Sequence, residues 1–298
     1  MLKYLVGKFI CGDTPQKALE KARSLMEQGF LIDLNIIGED EESSELTFRK
    51  YYGMIQYMKG MGIFTDISLK LSHFGVFYRP DLVATSILHL AEELKQIDRR
   101  LTIDMENTGH DFYICEVMNF LMKNKVINAG LAFALNREYV YLLDDQNIAV
   151  DLRSVSKSLN FKYSLCGFRR ICKGAYYKNH KKRQEIIKNE NKLSERYIYF
   201  FRKFISEKTY VGLAVVRDLK LIEKIKLLVK EQNIPKNAFE FQMLYGLRMD
   251  VARKLLKEGY KVRIYLPFLY NESYKKALSY FWRRCSLKNA VAVMKEWV

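Results

Sequence analysis

The sequence lacks several features that would place it outside ordinary globular proteins. It has no run of 18 uncharged apolar residues, so no segment stands out as a membrane span, and its first residues show no secretory signal pattern. Its five cysteines and four histidines are dispersed, without a C-x-x-C pair or the spacing of a zinc site. This pattern indicates reduced thiols, so we expect a cytoplasmic protein without a metal centre.

Acidic residues are scarce, 34 against 50 lysines and arginines, and the formal net charge is +16. A positive surface attracts nucleic acid, anionic membranes and anionic metabolites alike. The densest basic run, residues 177–184, is a candidate contact for phosphate or a membrane, although such runs are more often solvated faces. The aromatic and basic stretch 196–204 is more typical of core packing, and no nucleic-acid-binding module is recognised. The sequence therefore argues against a nucleic-acid partner.

Short apolar segments rich in β-branched residues alternate with longer amphipathic ones, a pattern that predicts βα units and a parallel sheet. A preceding helix is predicted near residues 14–28, with Asp13 or Thr14 as its cap. Eight strands are predicted at residues 31–37, 64–71, 101–106, 129–135, 168–175, 210–216, 239–244 and 261–266. This predicts an α/β fold with eight crossover helices, a (β/α)8 TIM barrel forming one domain over residues 1–298.

Active sites of such barrels form at the carboxyl ends of the strands. Polar residues predicted at strand ends are Lys70, Asp104, Glu106, Lys173 and Tyr265. Burying such groups is costly unless they pair with each other or with a ligand. Any one of them could be an ordinary barrel-core ion pair, but together they favour a site at this rim.

Several motifs follow one another in order along the chain: LIDLNIIGE, ISLKLS, TIDME, RRICKGAYY, FEFQMLYG, VRIYLP and YFWRR. In their order and spacing they resemble the motifs of the proline dehydrogenase family, flavin-dependent (β/α)8 enzymes that oxidise L-proline to pyrroline-5-carboxylate. The resemblance implies hydride transfer to N5 of FAD and electron delivery to a quinone. It also implies a peripheral contact with the inner face of the membrane.

The resemblance assigns the substrate to the last helix and to the rim of the barrel. Residues that match the family's arginine pair and its tyrosine are Tyr280, Arg283 and Arg284. Residues that match the rest of the pocket are Lys70, Asp104, Tyr176 and Tyr265. Guanidinium groups present planar donor forks that suit a carboxylate, and Asp104 is expected to orient an arginine or lysine. Lys70, Asp104 and Arg170 are the predicted catalytic residues.

The resemblance assigns FAD to residues around the fifth and sixth predicted strands. The implied contacts are Arg170, Lys173, Gly174, Ala175, Tyr177 and Arg217. Arg170 is expected to stabilise the negative charge of the reduced isoalloxazine, and Gly174 to permit close approach because it lacks a Cβ. Tyr177 would stack on the adenine, and Arg217 would reach the pyrophosphate.

Three apolar residues stand where the family has polar flavin contacts. Ala134 replaces a glutamine, while Val215 and Val216 replace a threonine and a histidine. A second hypothesis follows from these replacements. In it, a divergent barrel keeps the amino-acid carboxylate site, binds flavin weakly or not at all, and acts as a binding or partner protein.

Overall fold

The computed structural model describes residues 7–38, 43–106, 110–135, 142–144, 147–149, 168–174, 187, 189–215 and 218–275. Its strands are β1 (Leu31–Ile36), β2 (Asp66–Leu69), β3 (Leu101–Ile103), β4 (Ala129–Ala134), β5 (Leu142–Asp144), β6 (Asn147–Ala149), β7 (Phe168–Cys172), β8 (Tyr210–Ala214), β9 (Phe239–Leu244) and β10 (Val262–Phe268). Eight of them close into a barrel in the order β1-β10-β9-β8-β7-β4-β3-β2, and all neighbours run parallel. The predicted barrel is confirmed.

The helices are α1 (Pro15–Met26), α2 (Ser44–Met61), α3 (Pro80–Gln96), α4 (Asp111–Lys123), α5 (Glu190–Ser206), α6 (Leu219–Glu231) and α7 (Met249–Lys257). A short 3-10 helix, Leu71–Phe74, lies between β2 and α3. The extra helix α1 precedes β1 as predicted. Its cap is Thr14, whose Oγ1 accepts a hydrogen bond of 3.3 Å from the backbone N–H of Lys17 and so satisfies one donor of the first turn.

Some strand bounds differ from the prediction, since β2 and β3 end at Leu69 and Ile103 rather than at residues 71 and 106. The last strand extends to Phe268, two residues beyond the predicted end, because Pro267 and Phe268 still pair with Asn35 and Ile36 of β1. Between β4 and β7 the described residues form an antiparallel hairpin of β5 and β6, and the rest of this connection, where a crossover helix was predicted, lies outside the described residues. The predicted C-terminal helix with the arginine pair lies outside the described residues.

Helix α5 shows how the aromatic stretch 196–204 is used. Tyr197, Phe200, Phe201 and Phe204 are all buried, and Tyr197 donates a hydrogen bond of 2.9 Å to the carbonyl of Ile171 in β7. Each such side chain stabilises the fold by about 1.5 to 3 kcal/mol when it is fully buried. The stretch therefore packs the outside of the barrel, as its sequence predicted.

The inside of the barrel is unusually polar for a core. Eight charged or amide side chains on its strands are buried: Asp33, Asn35, Asp66, Arg169, Arg170, Glu240, Gln242 and Arg263. Among them only Arg169 turns outwards, to Glu207 just beyond α5 and to the ring of Phe204. Because buried charges are tolerated only when paired, the contacts inside the barrel determine what the site can do.

Candidate active site

Arg170 of β7 lies at the centre of the candidate site, with 3% of its surface exposed. In the barrel order β7 lies opposite β1, so the Arg170 side chain spans the interior to reach Asp33. Its Nη2 donates to Asp33 Oδ2, its Nε donates to Gln242 Oε1, and its Nη1 donates to Ser68 Oγ at 3.0 Å. Anchors on three other strands therefore hold one guanidinium across the barrel axis.

Asp104 and Tyr265 complete the contacts of Arg170 on the rim side. Asp104 follows β3 directly, and its Oδ1 accepts a hydrogen bond of 2.8 Å from Arg170 Nη1. Its Oδ2 accepts a hydrogen bond of 2.8 Å from the hydroxyl of Tyr265. The ring of Tyr265 lies with its centroid 5.5 Å from the guanidinium carbon of Arg170. Three residues predicted from distant motifs thus meet, and Asp104 contacts an arginine as its expected orienting role requires.

Sequence reasoning missed Asp33 and Ser68, which contact the same guanidinium. Asp33 is fully buried in β1, and Ser68 Oγ donates a hydrogen bond of 2.5 Å to its Oδ2. Ser68 therefore links Asp33 to Arg170, since it accepts from the arginine and donates to the carboxylate. The signal that could have found Asp33 is its acidic side chain within an otherwise apolar strand.

The two carboxylates also fix the charge of Arg170. Burial alone would lower the pKa of an arginine, but Asp33 and Asp104 outweigh it and hold the pKa of Arg170 above its ordinary value. The guanidinium is therefore a permanent cation inside the barrel. Its hydrogens point in fixed directions because its partners sit on rigid strands.

Beneath this cluster a second ion network occupies the amino-terminal side of the barrel. Gln242 Nε2 donates a hydrogen bond of 2.6 Å to Glu240 Oε1, and Arg263 pairs with both oxygens of Glu240 at 2.5 and 3.0 Å. Burial alone would raise the pKa of Glu240, but Arg263 and Arg100 outweigh it and lower that pKa to about 2. Gln242 therefore connects Arg170 to the ionised pair of Glu240 and Arg263 beneath it.

Gly212 of β8 makes room for this connection. A Cβ on Gly212 would lie 2.4 Å from Nε2 of Gln242 and 3.0 Å from Cζ of Phe168. Any side chain at this position would displace the amide that holds Arg170. The small residue is thus part of how the sequence positions the arginine.

Lys70 and Glu106 follow the neighbouring strands β2 and β3. Lys70 directly follows β2 and is partly buried, and Glu106 is 4% exposed. Glu106 accepts a hydrogen bond of 2.9 Å from the backbone N–H of Ser72 and another from its hydroxyl. Burial raises the pKa of Glu106, while Ser72, His110 and the charge of Lys70 oppose that rise. Glu106 therefore ties down the loop after β2.

Lys173 is directed away from Arg170, towards the helix layer. Its Nζ pairs with Glu190 at 2.8 Å and also with Asp218, the N-terminal cap of α6. Burial alone would lower the pKa of Lys173, but these two carboxylates outweigh it and raise that pKa. Of the five predicted rim residues, Asp104 and Tyr265 therefore contact Arg170, whereas Lys173 pairs with carboxylates of the helix layer.

The rim near β4, β7 and β8 is lined by small or apolar residues. Ala134 pairs in register with Cys172, and Cys172 pairs with Ala214. Val215, directly after β8, is 2% exposed. Gly174 has a φ of +123°, a backbone conformation that favours glycine. Among the residues that the structure describes, this rim can accept the face of a flat ring but offers it few hydrogen bonds.

Several predicted residues lie outside the described part of the chain. They are Ala175, Tyr176, Tyr177, Val216, Arg217, Tyr280, Arg283 and Arg284. Their roles remain predictions from the sequence. Among the described helices, none has the length and apolar character needed to cross a membrane.

Comparison with known proteins identifies the family of the chain. The model of the proline dehydrogenase family matches residues 18–290. Proline dehydrogenase 2 of Bacillus subtilis is 31% identical over 284 residues, which cover 93% of this chain and 84% of the relative. Proline dehydrogenase 1 of the same organism is 28% identical over 294 residues, which cover 97% and 89%. The proline dehydrogenase of Deinococcus radiodurans is 26% identical over 274 residues, which cover 89% and 81%.

Solved structures are similar in fold. Proline utilization A from Bdellovibrio bacteriovorus, inactivated by N-propargylglycine, superposes with a TM-score of 0.77 at 18% identity, over 94% of this chain. The D778Y mutant of proline utilization A from Bradyrhizobium japonicum gives a TM-score of 0.72 at 17% identity, over 95% of this chain. This chain spans about a third of each, 32% and 31%. From the family match over most of its length and its relatives, the chain belongs to the proline dehydrogenase family and is an oxidoreductase.

Proposed function

We propose that the chain oxidises L-proline, or a close cyclic amino acid, to pyrroline-5-carboxylate by hydride transfer to N5 of FAD. Family membership supports proline as the substrate. The observation that carries the proposal is the anchoring of Arg170, a buried cation whose partners sit on β1, β2, β9 and the end of β3. In a core without a function, an apolar residue would avoid the desolvation cost of burying this charge. The presence of a buried arginine therefore favours a functional role.

The described residues fit a flavin in two respects. The small and apolar strand ends at Ala134 and Val215 suit the face of a flat aromatic ring, and Gly174 leaves the backbone after β7 open to close approach. The fixed cation Arg170 suits a ring that gains negative charge on reduction. Arg170 and Gly174, with Lys173 nearby, are therefore the described residues that would hold the cofactor. FAD, when bound, would supply the hydride acceptor.

The protein's own contribution is orientation and charge. Arg170 would stabilise the negative charge of the reduced flavin ring at the barrel mouth. It would do so without reorganising, because Asp104, Ser68 and Gln242 already hold its hydrogens in place. Tyr265 keeps Asp104 directed at Arg170 rather than at the substrate carboxylate. The substrate carboxylate is assigned to Arg283 and Arg284. An unprotonated substrate amine needs no strong base on the protein.

A visible spectrum tests the proposal. Protein purified or reconstituted with FAD should show the oxidised flavin bands, and L-proline should bleach them. Replacing Arg170 by lysine keeps a charge but loses the donor fork, so we expect bleaching to slow by about 10²-fold. Arg169→Lys is the matched control. Arg169 is the neighbour of Arg170 in sequence but faces α5, so its replacement should leave the rate unchanged. Protein that stays colourless after reconstitution would contradict the proposal.

The electron acceptor is proposed to be a quinone, reached at a membrane surface that the positive chain contacts peripherally. The net charge of +16 supports attraction to anionic lipid. Flavin reduced by proline should be reoxidised by a short-chain quinone in solution. Vesicles with anionic lipid should bind the protein at low salt and release it at high salt, whereas neutral vesicles should not bind it.

A second candidate function rests on the replacements at Ala134, Val215 and Val216, of which Val216 lies outside the described residues. In it the barrel keeps the carboxylate site, binds flavin weakly or not at all, and acts as an amino-acid-binding or partner protein. Losing one buried polar partner costs about 1 to 3 kcal/mol, so several such losses would weaken flavin binding greatly. Calorimetry should then show proline binding to flavin-free protein, and Arg283→Gln should abolish it. Absence of proline binding without FAD would remove this candidate.

A further inference from the structure

Two carboxylates, the buried Asp33 and the partly buried Asp104, share the single guanidinium of Arg170. Asp33 contacts Nη2 and Asp104 contacts Nη1, so they approach the cation from different sides. Their side chains differ in solvent access, because Asp33 is 1% exposed and Asp104 is 14% exposed. Asp104 also has Tyr265 as a partner at the rim, whereas Asp33 lies deeper, in the middle of β1.

The charges of this cluster do not balance when both carboxylates are ionised. One arginine faces two aspartates, and the other cation that acts on Asp33, Arg263, is bound to Glu240 and Asp66. Only Oδ2 of Asp33 is hydrogen-bonded; within the described part of the chain Oδ1 has no hydrogen-bond partner. Burial raises the pKa of Asp33 despite Arg170, Ser68 and Arg263, and the nearby Asp104 raises it further.

We propose that Asp33 is a positioning residue for Arg170, and that its charge, added or removed by a proton, sets the net charge beneath the barrel mouth. When ionised, Asp33 holds Nη2 and offsets the arginine. When Asp33 is protonated, only Asp104 offsets the charge of Arg170. The positive charge of Arg170 then acts more strongly on a group bound at the barrel mouth. Asp33 does not reach the rim and is not assigned to contact substrate. The catalytic part of this inference rests on the proposed function.

Several charged groups act on Asp33 or lie next to it, and its register partner on β2 is Asp66. Arg170 approaches it from β7, Asp104 from the end of β3, and Arg263 from β10. Ser68 on β2 donates to it in either charge state through its freely rotating hydroxyl. Tyr265 is its register partner on β10 but is committed to Asp104. Among these groups Arg170 is the one that forms an ion pair with Asp33, so a proton on Asp33 changes that contact most.

Asp33→Asn tests the inference, because asparagine keeps the shape and removes the charge. In the flavin-loaded protein at pH 8 we expect the midpoint potential of the flavin to rise by the equivalent of about tenfold in the reduction equilibrium, about 30 mV for a two-electron couple. At low pH, where Asp33 in the native protein is itself protonated, the difference between variant and native protein should shrink. KM for proline should stay within about twofold, since Asp33 is not a substrate contact.

Asp66→Asn is the matched control. Asp66 is also a buried strand carboxylate, but it pairs with Arg100 and Arg263 and does not contact Arg170. It should change thermal stability and leave the midpoint potential unchanged. Ser68→Ala is a milder second variant, expected to give a smaller shift in the same direction because it loosens Asp33 without removing it. Equal shifts in the Asp33 and Asp66 variants would overturn the inference.

A flavin-free measurement separates this inference from the proposed function. Because the folded pKa of Asp33 is raised, its contribution to stability is present below the unfolded pKa and is lost as pH rises through the folded pKa. The unfolding midpoint of native protein should therefore fall relative to Asp33→Asn as pH rises from acid to neutral, with or without FAD. Parallel pH profiles of the two proteins would overturn the inference even if flavin binds. Failure to bind FAD with diverging profiles would overturn only the proposed function.

Discussion

The hydroxyl of Tyr265 donates a hydrogen bond of 2.8 Å to Oδ2 of Asp104, while Oδ1 of the same carboxylate accepts from Arg170. One aspartate thus joins β10 to β7 at the mouth of the barrel. A carboxylate held by two partners cannot rotate. The direction of the Arg170 guanidinium therefore depends on the hydroxyl of Tyr265, which lies on a different strand.

Tyr265→Phe is expected to lower kcat/KM for proline by roughly ten- to hundredfold, because one hydrogen bond to a charged group contributes about 1.5 to 3 kcal/mol. Steady-state kinetics with a dye or quinone acceptor measures it. Tyr210→Phe is the control, as its hydroxyl bonds Glu240 at 3.1 Å at the opposite end of the barrel. An equal loss in both variants would mean that the effect is on folding rather than on the site.

Gly212→Ala is expected to destabilise the protein by about 1 to 3 kcal/mol, since the new Cβ would overlap the amide of Gln242. The displaced amide also releases Arg170 Nε, so kcat should fall as well. Gly60→Ala provides the comparison, because a Cβ there meets nothing within 4 Å and Gly60 lies in helix α2. That change should stabilise the fold by about 0.5 to 1 kcal/mol. Thermal unfolding and proline turnover of the two variants distinguish the effects.

Acid should weaken the barrel through Glu240. Its folded pKa is lowered from 4.5 to about 2, so its contribution to stability is present above pH 4.5 and is lost as pH falls towards 2. The loss amounts to about 3 kcal/mol on the scale of 1.36 kcal/mol per pKa unit. Glu240→Gln should flatten the stability profile over this range. The exposed Glu231→Gln serves as control, and an unchanged slope in Glu240→Gln would contradict the assignment.

Asp218 offers a way to separate charge from capping. Its Oδ1 accepts a hydrogen bond of 2.9 Å from the backbone N–H of Leu221, and Oδ2 pairs with Lys173. Asparagine retains the cap and loses the charge, whereas alanine loses both. Asp218→Ala should therefore be less stable than Asp218→Asn by about 1 kcal/mol, measured by denaturant unfolding. Equal stabilities would show that the cap contributes nothing.

Whether a site residue could be predicted from the sequence depends on whether it follows a strand or lies within one. Asp104 was predictable because polar residues after buried parallel strands meet at one rim. Lys173 satisfied the same rule but turned to Asp218 and Glu190, because the distance between a strand end and the next helix cap cannot be deduced from spacing. Asp33 was missed because it lies within an apolar strand, and its partner Arg170 is opposite it only after the barrel closes.

Closure itself joins the two ends of the sequence. Leu31 to Ile36 pair residue for residue with Arg263 to Phe268, and Cys11 and Leu269 add backbone bonds across the same seam, to Pro267 and Gly12. A nascent chain cannot complete this seam until β10, the last of the barrel strands in sequence, has been made. Until then one edge of β1 has no strand beside it, so we expect early translation products to be prone to aggregation.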